Sequence, residues 1–382
     1  MKKNLIALAV FGAFSGAALA QSNVTLYGII DVNYQYNDPD SGSSTSGINS
    51  GHQSGSRWGI RGSEALSPNL NAVFTLEGGY SNDTGMQGQG GRLFGRQIWA
   101  GLAGGWGTVV GGRVATFSSG TGSFDMFGNA DPFLTGFGDA SLASTFTSIG
   151  YTTGAALRID NALLYQSPSF GGFKFGAGHS WNVNGAENPG TGNNNRMWFF
   201  GANFASGPFW AGVTYDLTDI TDAGIPGSPA IFPNASDQKT LQIGATFDLK
   251  FLKIHGAYAK EDNVVLTSTI GVLGTAGEDA DAWMAGVTVP LLGGSLLGSY
   301  QKRDGDSVSV CTGAFVPATG GCSVAFTTRQ AERDVWAVGY SYPLSRRTNL
   351  YVSYSDSDGE GFINNNTTLD RKQYTVGMRH LF

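Results

Sequence analysis

The chain has 382 residues, with 58 Gly, 12 Pro, 12% aromatic residues and a formal net charge of −6. That aromatic content excludes a disordered chain, the glycines lack the triplet period of collagen, and the acidic balance excludes a nucleic-acid-binding field. No apolar stretch reaches the ~20 residues of a spanning helix, which excludes helical membrane insertion.

The chain opens with Lys2 and Lys3, an apolar run from Leu5 to Phe14, and Ala18-Leu19-Ala20 before Gln21. This is the pattern of a secretory signal peptide, expected over residues 1–20 and cleaved after Ala20, leaving one domain over 21–382. Without Lys2 and Lys3, 21 basic face 29 acidic side chains, a net charge of −8.

From Val24 onward the apolar residues recur with a period of two, the spacing of strands rather than helices. In the first segment Val24, Leu26, Ile30, Val32, Tyr34 and Tyr36 share one parity, while Thr25, Tyr27, Asp31, Asn33 and Gln35 share the other. Strands are expected at 24–36, 56–63, 70–80, 92–103, 106–114, 158–166, 172–181 and 196–205. Eight more follow at 208–217, 238–249, 252–260, 281–290, 294–302, 333–342, 348–355 and 371–382. That makes sixteen, each close to the ~9–11 residues with which a tilted strand crosses a bilayer.

The connections alternate in length. Short turns such as 104–105 and 206–207 follow every other strand. Long segments take the remaining places: 37–55, 81–91, 115–157, 182–195, 218–237, 261–280, 303–332 and 356–370. A soluble sandwich has no reason to sort its loops this way, whereas a transmembrane barrel has short periplasmic turns and long outer loops. The expected fold is therefore all-β: a 16-stranded antiparallel transmembrane barrel, closed by pairing 371–382 with 24–36. The aromatic-rich parity then faces lipid and the polar parity a lumen. Tyr34, Tyr36, Tyr80, Trp181, Trp198, Tyr300, Tyr342 and Tyr354 lie near segment ends, where interfacial girdles form.

Parity places Arg57, Arg61, Arg96, Arg113 and Arg158 on the polar face, with Asp31, Glu77 and Asp160 as lumen acids. Segment 115–157 is far longer than an ordinary connection, and its Phe124, Met126, Phe127, Phe133, Leu134 and Phe137 give it apolar groups to pack against a wall. Its acids are Asp125, Asp131 and Asp139. Either they face the arginines and set a transverse field, for which Asp125 is the first choice, or they cap turns of their own loop, as suits Asp131 before Pro132. Cys311 and Cys322, eleven residues apart in an exported chain, suggest a local disulfide in the seventh long loop. No His/Cys spacing suits a metal, and no cofactor is expected.

Several stretches are similar to the Gram-negative general porins, especially the β-proteobacterial and neisserial type. They are "SNVTLYGIIDVNY", "SGSRWGIRGSEALSPNLNAVFTLEGGY", "FGRQIWAGLAGGWGTVVGGR", "LRIDNALLYQSPSFGGFKFGAGHS" and the terminal "YTVGMRHLF". The resemblance covers essentially the whole mature chain. It implies a homotrimeric, water-filled barrel in the outer membrane, amid lipid and lipopolysaccharide, whose third long loop folds inward. It also implies a basic constriction wall, which "SRWGIRG", "FGRQ" and "LRIDN" carry to Arg57, Arg96 and Arg158, with Arg61 and Arg113 as second choices. Phe382 would then end the strand that the barrel-assembly machinery recognises.

The expected function is passive diffusion of small hydrophilic solutes and ions, with a weak preference for anions. A channel specific for a sugar or organic anion is the alternative, although Tyr27, Trp210 and Tyr351 are too few for a file of stacking aromatics. An enzyme is not expected. Of the four histidines only His255 is expected to face the lumen, and no G-x-S-x-G nucleophile accompanies it.

Overall fold

The computed structural model describes residues 23–382 except 41, 135, 141–157, 188–193, 220–236, 265–277, 312–314, 317–320, 323–325, 331 and 360–369. The expected signal peptide lies outside the described residues. So do the side chains of Cys311 and Cys322, whose backbone falls in the short strands Ser307–Cys311 and Gly321–Cys322.

The sixteen expected strands are all present. They are β1 Asn23–Pro39, β2 Arg57–Ser67, β3 Leu70–Gly79, β4 Gln97–Gly104, β5 Gly107–Ala115, β6 Arg158–Gln166, β7 Phe173–Ser180 and β8 Arg196–Ser206. The second half comprises β9 Phe209–Asp219, β10 Gln238–Asp248, β11 Lys253–Val264, β12 Glu278–Leu291, β13 Gly294–Gly305, β14 Arg333–Pro343, β15 Thr348–Asp358 and β16 Arg371–Leu381. Each pairs antiparallel with the next. β16 returns to β1, from Ile29 opposite Leu381 to Pro39 opposite Arg371. The sheet closes on itself, so no row of backbone donors and acceptors is left at an edge.

β1 is longer than expected because it serves two neighbours on one side. Its first half pairs with β2, and its second half pairs with a short strand at Thr45–Ser50. β4 begins at Gln97 rather than residue 92. Gly85, Gly90 and Gly91 take left-handed φ, and a 3₁₀ turn at Gln89–Gly91 precedes the strand, so the backbone arrives at Arg96 irregularly.

The polarity of the sheet is inverted relative to a soluble one. On β9, Phe209 and Val213 are exposed while Thr214, Asp216 and Thr218 are buried. On β10, Ile243 and Phe247 face out while Gln238, Thr240 and Gln242 face in. An apolar exterior is stable only in lipid, and the polar interior is that of a pore. Trp181, Trp198, Trp283, Tyr300, Trp336, Tyr342 and Tyr374 are exposed on the same outer face.

Described residues of segment 116–140, after β5, contact strands β8, β11 and β13. Phe117 packs on Phe199 of β8, and the Ala130 carbonyl meets His255 Nδ1 of β11 at 3.2 Å. Gln301 of β13 donates to the Ala140 carbonyl at 2.6 Å. Three apolar clusters hold the segment, around Phe117 and Met126, around Phe127 and Ala130, and around Phe133 and Phe137.

The chain terminus is bonded into the seam. Phe382 N–H donates to the Gly28 carbonyl and Gly28 N–H donates to the Phe382 carbonyl, both at 3.1 Å. The Phe382 ring occupies the space a side chain at position 28 would need. Gly28 is thus a seat for the last residue.

Candidate functional site: the basic arc of the lumen

Strands β2, β3 and β6, with the turn before β4, bring Arg57, Arg96, Arg158 and Glu77 within electrostatic reach of one another. Inward parity brings Arg57, Glu77 and Arg158 together, and the turn before β4 brings Arg96 to them. Arg96 Nε donates to Glu77 Oε1 at 2.7 Å, and Tyr27 Oη donates to Glu77 Oε2 at 3.0 Å. Arg57 Nε donates to the Gly55 carbonyl at 2.8 Å, and Arg158 Nη2 to Thr121 Oγ1 at 3.1 Å. Two buried nitrogens, Arg96 Nη2 and Arg158 Nε, have no hydrogen-bond partner among the described residues. Three guanidiniums against one carboxylate leave this cluster at a net +2.

The two second-choice arginines differ from each other. Arg113 is buried, bonding Asp160 Oδ1 at 2.5 Å and the Gly95 carbonyl at 2.7 Å. Arg61 is exposed and lies 5.0 Å from the centre of the Tyr27 ring.

The structure adds basic groups that the sequence reading passed over. Arg92 shares Asp160 with Arg113, at 2.7 Å. Arg333 of β14 and Arg371 of β16 both hold Asp139. Arg379 of β16 donates to Ser54 Oγ and Asn349 Oδ1, beside Asp31. The signal for Arg371 was available, since it shares the inward parity of Gln373, Thr375 and Arg379. From β14 through the β16–β1 seam to β6, these eight arginines face the four acids Asp31, Glu77, Asp139 and Asp160.

The loop acids do not bond Arg57, Arg96 or Arg158 among the described residues. Asp125, the first choice for the transverse field, accepts N–H bonds from Gly120 at 2.6 Å and Gly128 at 2.8 Å. Asp131 is buried and accepts the Phe133 N–H at 2.8 Å. Both satisfy backbone donors of their own loop, which would otherwise be stranded away from water. Asp139 does reach arginines, but those of β14 and β16 rather than Arg57, Arg96 and Arg158. Among the lumen acids, Asp31 is fully buried, bonded by Tyr351 Oη at 2.5 Å and Ser54 N–H at 2.6 Å.

Titration follows from these surroundings. Burial raises the Asp125 carboxyl, against the backbone donors that stabilise its anion. Burial would raise Asp139 as well, but Arg371 and Arg333 outweigh it and bring Asp139 down to about 2. Burial takes His52 down to about 4, partly opposed by Asp139, so His52 is neutral at pH 7. Its ring stacks on Tyr351 and its Nε2 meets Ser353 Oγ at 2.8 Å. Tyr351 and Trp210 are themselves buried, the former against His52 and Phe137, which removes both from any file of sugar-stacking aromatics.

Comparison with known proteins matches this architecture. The sequence model of a family described as Gram-negative porin covers residues 7–361. An outer membrane porin protein of Bordetella pertussis is 32% identical over 424 residues, spanning all of both chains. Outer membrane porin protein 32 of Delftia acidovorans is 33% identical over 261 residues, covering 67% of this chain and 68% of its own. Among solved structures, an anion-selective porin from Comamonas acidovorans superposes with a TM-score of 0.72 at 22% identity, covering 94% of this chain and 100% of its own.

Proposed function

The chain belongs to the Gram-negative porin family and is a general diffusion porin of the outer membrane, and from that premise we propose how its pore discriminates among solutes. Segment 116–140 is the constriction, and the basic arc with Arg57, Arg96 and Arg158 at its centre lines the gap it leaves. Small hydrophilic solutes pass by diffusion, sorted by diameter and by the charge of that gap. The pore prefers anions weakly, and it works passively, without catalysis or cofactor.

The observation that carries this reading is the ratio in the arc: eight guanidiniums against four carboxylates, in a chain that is acidic overall. Distant loop charges do not cancel it, because screening confines each charge to about 8 Å at physiological salt. The anion-selective structural relative fits the same sign. A reversal potential in a salt gradient across a planar bilayer tests the proposal. An anion-selective sign supports it, and a zero or cation-selective potential sinks it.

Around this pore we place three further assignments. Residues 1–20 are a cleaved signal, and 21–382 form one barrel domain that assembles as a homotrimer among outer-membrane lipid and lipopolysaccharide. Cys311 and Cys322 form a disulfide in an outer loop. Phe382, bonded to Gly28 at the seam, serves as the terminal recognition residue for the barrel-assembly machinery.

A further inference from the structure

Glycine is a poor strand residue, since it loses the most entropy on ordering and brings no side chain to pack. Several lumen-facing positions are nevertheless glycine, and other parts of the chain fill the space above them. A Cβ at Gly201 of β8 would stand 2.7 Å from Phe117 Cβ, and one at Gly244 of β10 would stand 2.6 Å from Ala130 Cβ. At Gly286 of β12 it would meet Pro132 Cγ at 2.7 Å, and at Gly339 of β14 the Phe133 ring at 2.9 Å. In each case the nearest obstructing group belongs to segment 116–140, although at Gly286 the Gly298 carbonyl also stands at 3.0 Å. By contrast, a Cβ at Gly256, on the outer face of β11, finds no heavy atom nearer than 4.0 Å.

The order of contacts matches the order of the chain. Phe117, Ala130, Pro132 and Phe133 meet β8, β10, β12 and β14 in turn, so the segment is laid along a track of missing side chains. Such a seat fixes depth: the loop's backbone lies as close to the wall as an absent Cβ permits. We propose that Gly201, Gly244, Gly286 and Gly339 are positioning residues that set the aperture of the pore, by holding segment 116–140 against the wall. This rests on the reading of that segment as the constriction.

A Cβ contact becomes ordinary only beyond 3.4 Å, so an alanine at position 244 pushes Ala130 inward by about 0.8 Å. Conductance follows the open cross-section, so Gly244→Ala is expected to lose on the order of 10–30% of single-channel conductance. Ala130→Gly removes the obstructing methyl, and in the Gly244→Ala background it is expected to return conductance to the wild-type value. Gly256→Ala is expected to change nothing. Gly339→Ala, whose new Cβ crowds only one edge of the Phe133 ring, serves as the second variant should Gly244→Ala fail to assemble.

Asn129→Trp, on the exposed side of the same segment, reports on the constriction reading separately. If Asn129→Trp lowers conductance while both folded glycine variants conduct like wild type, the glycine seats are refuted and the constriction stands. If none of the three changes conductance, both are refuted. If Gly244→Ala lowers conductance and Ala130→Gly does not restore it, the seat at Gly244 is refuted as well.

Discussion

Replacing Arg57, Arg96 and Arg158 together with glutamine is expected to shift the ion preference of the pore towards cations. The cluster carries a net +2 with Glu77 included, and the triple variant leaves −1. A unit charge acting across ~8 Å of water is worth about 0.5 kcal/mol, and screening at one Debye length cuts this to roughly 0.2 kcal/mol. Two net charges favour an anion by about 0.4 kcal/mol and disfavour a cation equally, a permeability ratio of about three to four. In the variant the cluster's own contribution changes sign, to about twofold in favour of cations, set against the five arginines that remain in the arc. Planar-bilayer reversal potentials in a tenfold KCl gradient read the change directly. A variant that inserts normally and keeps the wild-type potential would refute the placing of these three arginines at the selective gap.

Other consequences follow from the anchors of the loop and the seam. Asp139→Asn removes the carboxylate that Arg333 and Arg371 share, and losing one partner of a buried pair typically costs ~3–5 kcal/mol. The loop end should loosen, seen as noisier single channels and closure at lower voltage; quiet wild-type traces would contradict the clasp. The pH response has a defined sign. Asp139 is held below its unfolded value, so its contribution is full above about pH 4 and is lost as pH falls towards 2. His52, depressed to about 4, adds no charge between pH 5 and 8. His52 should therefore contribute no step to selectivity in that range, and a step near pH 6.5 that His52→Gln abolishes would show it titrating as a free imidazole. Deleting Phe382 removes two seam hydrogen bonds and is expected to cut the yield of inserted barrel far more than the conductance of channels that do form. Normal yield in an insertion assay would contradict its role.

The barrel was legible because its determinants are local. Two-residue alternation marks each strand, and loop lengths sort the connections, so Phe209–Asp219 and Gln238–Asp248 can be read without knowing their neighbours. Inward parity likewise found Arg57 and Arg158, whereas Arg113 is turned inward against its parity by the irregularity between Gly112 and Val114, and Arg96 precedes its strand. What parity cannot supply is partnership across the chain. Asp139 meets Arg333 and Arg371 over 194 and 232 residues, contacts fixed only once the barrel closes. The partners of Asp125 are not legible because they are backbone N–H groups, whose direction depends on the turn and not on residue type. Arg92 was placed in a strand that begins at Gln97, because the left-handed glycines before it leave no trace in an alternation pattern. Gly244 and Gly339 read as neutral fillers, and their meaning appears only when Ala130 and Phe133 are seen above them.

The most direct test of a general diffusion pore is the uptake of neutral sugars of graded size into liposomes carrying the purified protein. Rates should fall smoothly with solute diameter, without saturation and without one sugar blocking another. Saturable uptake of a single sugar, with exclusion of others of equal size, would contradict it and mark a solute-specific channel.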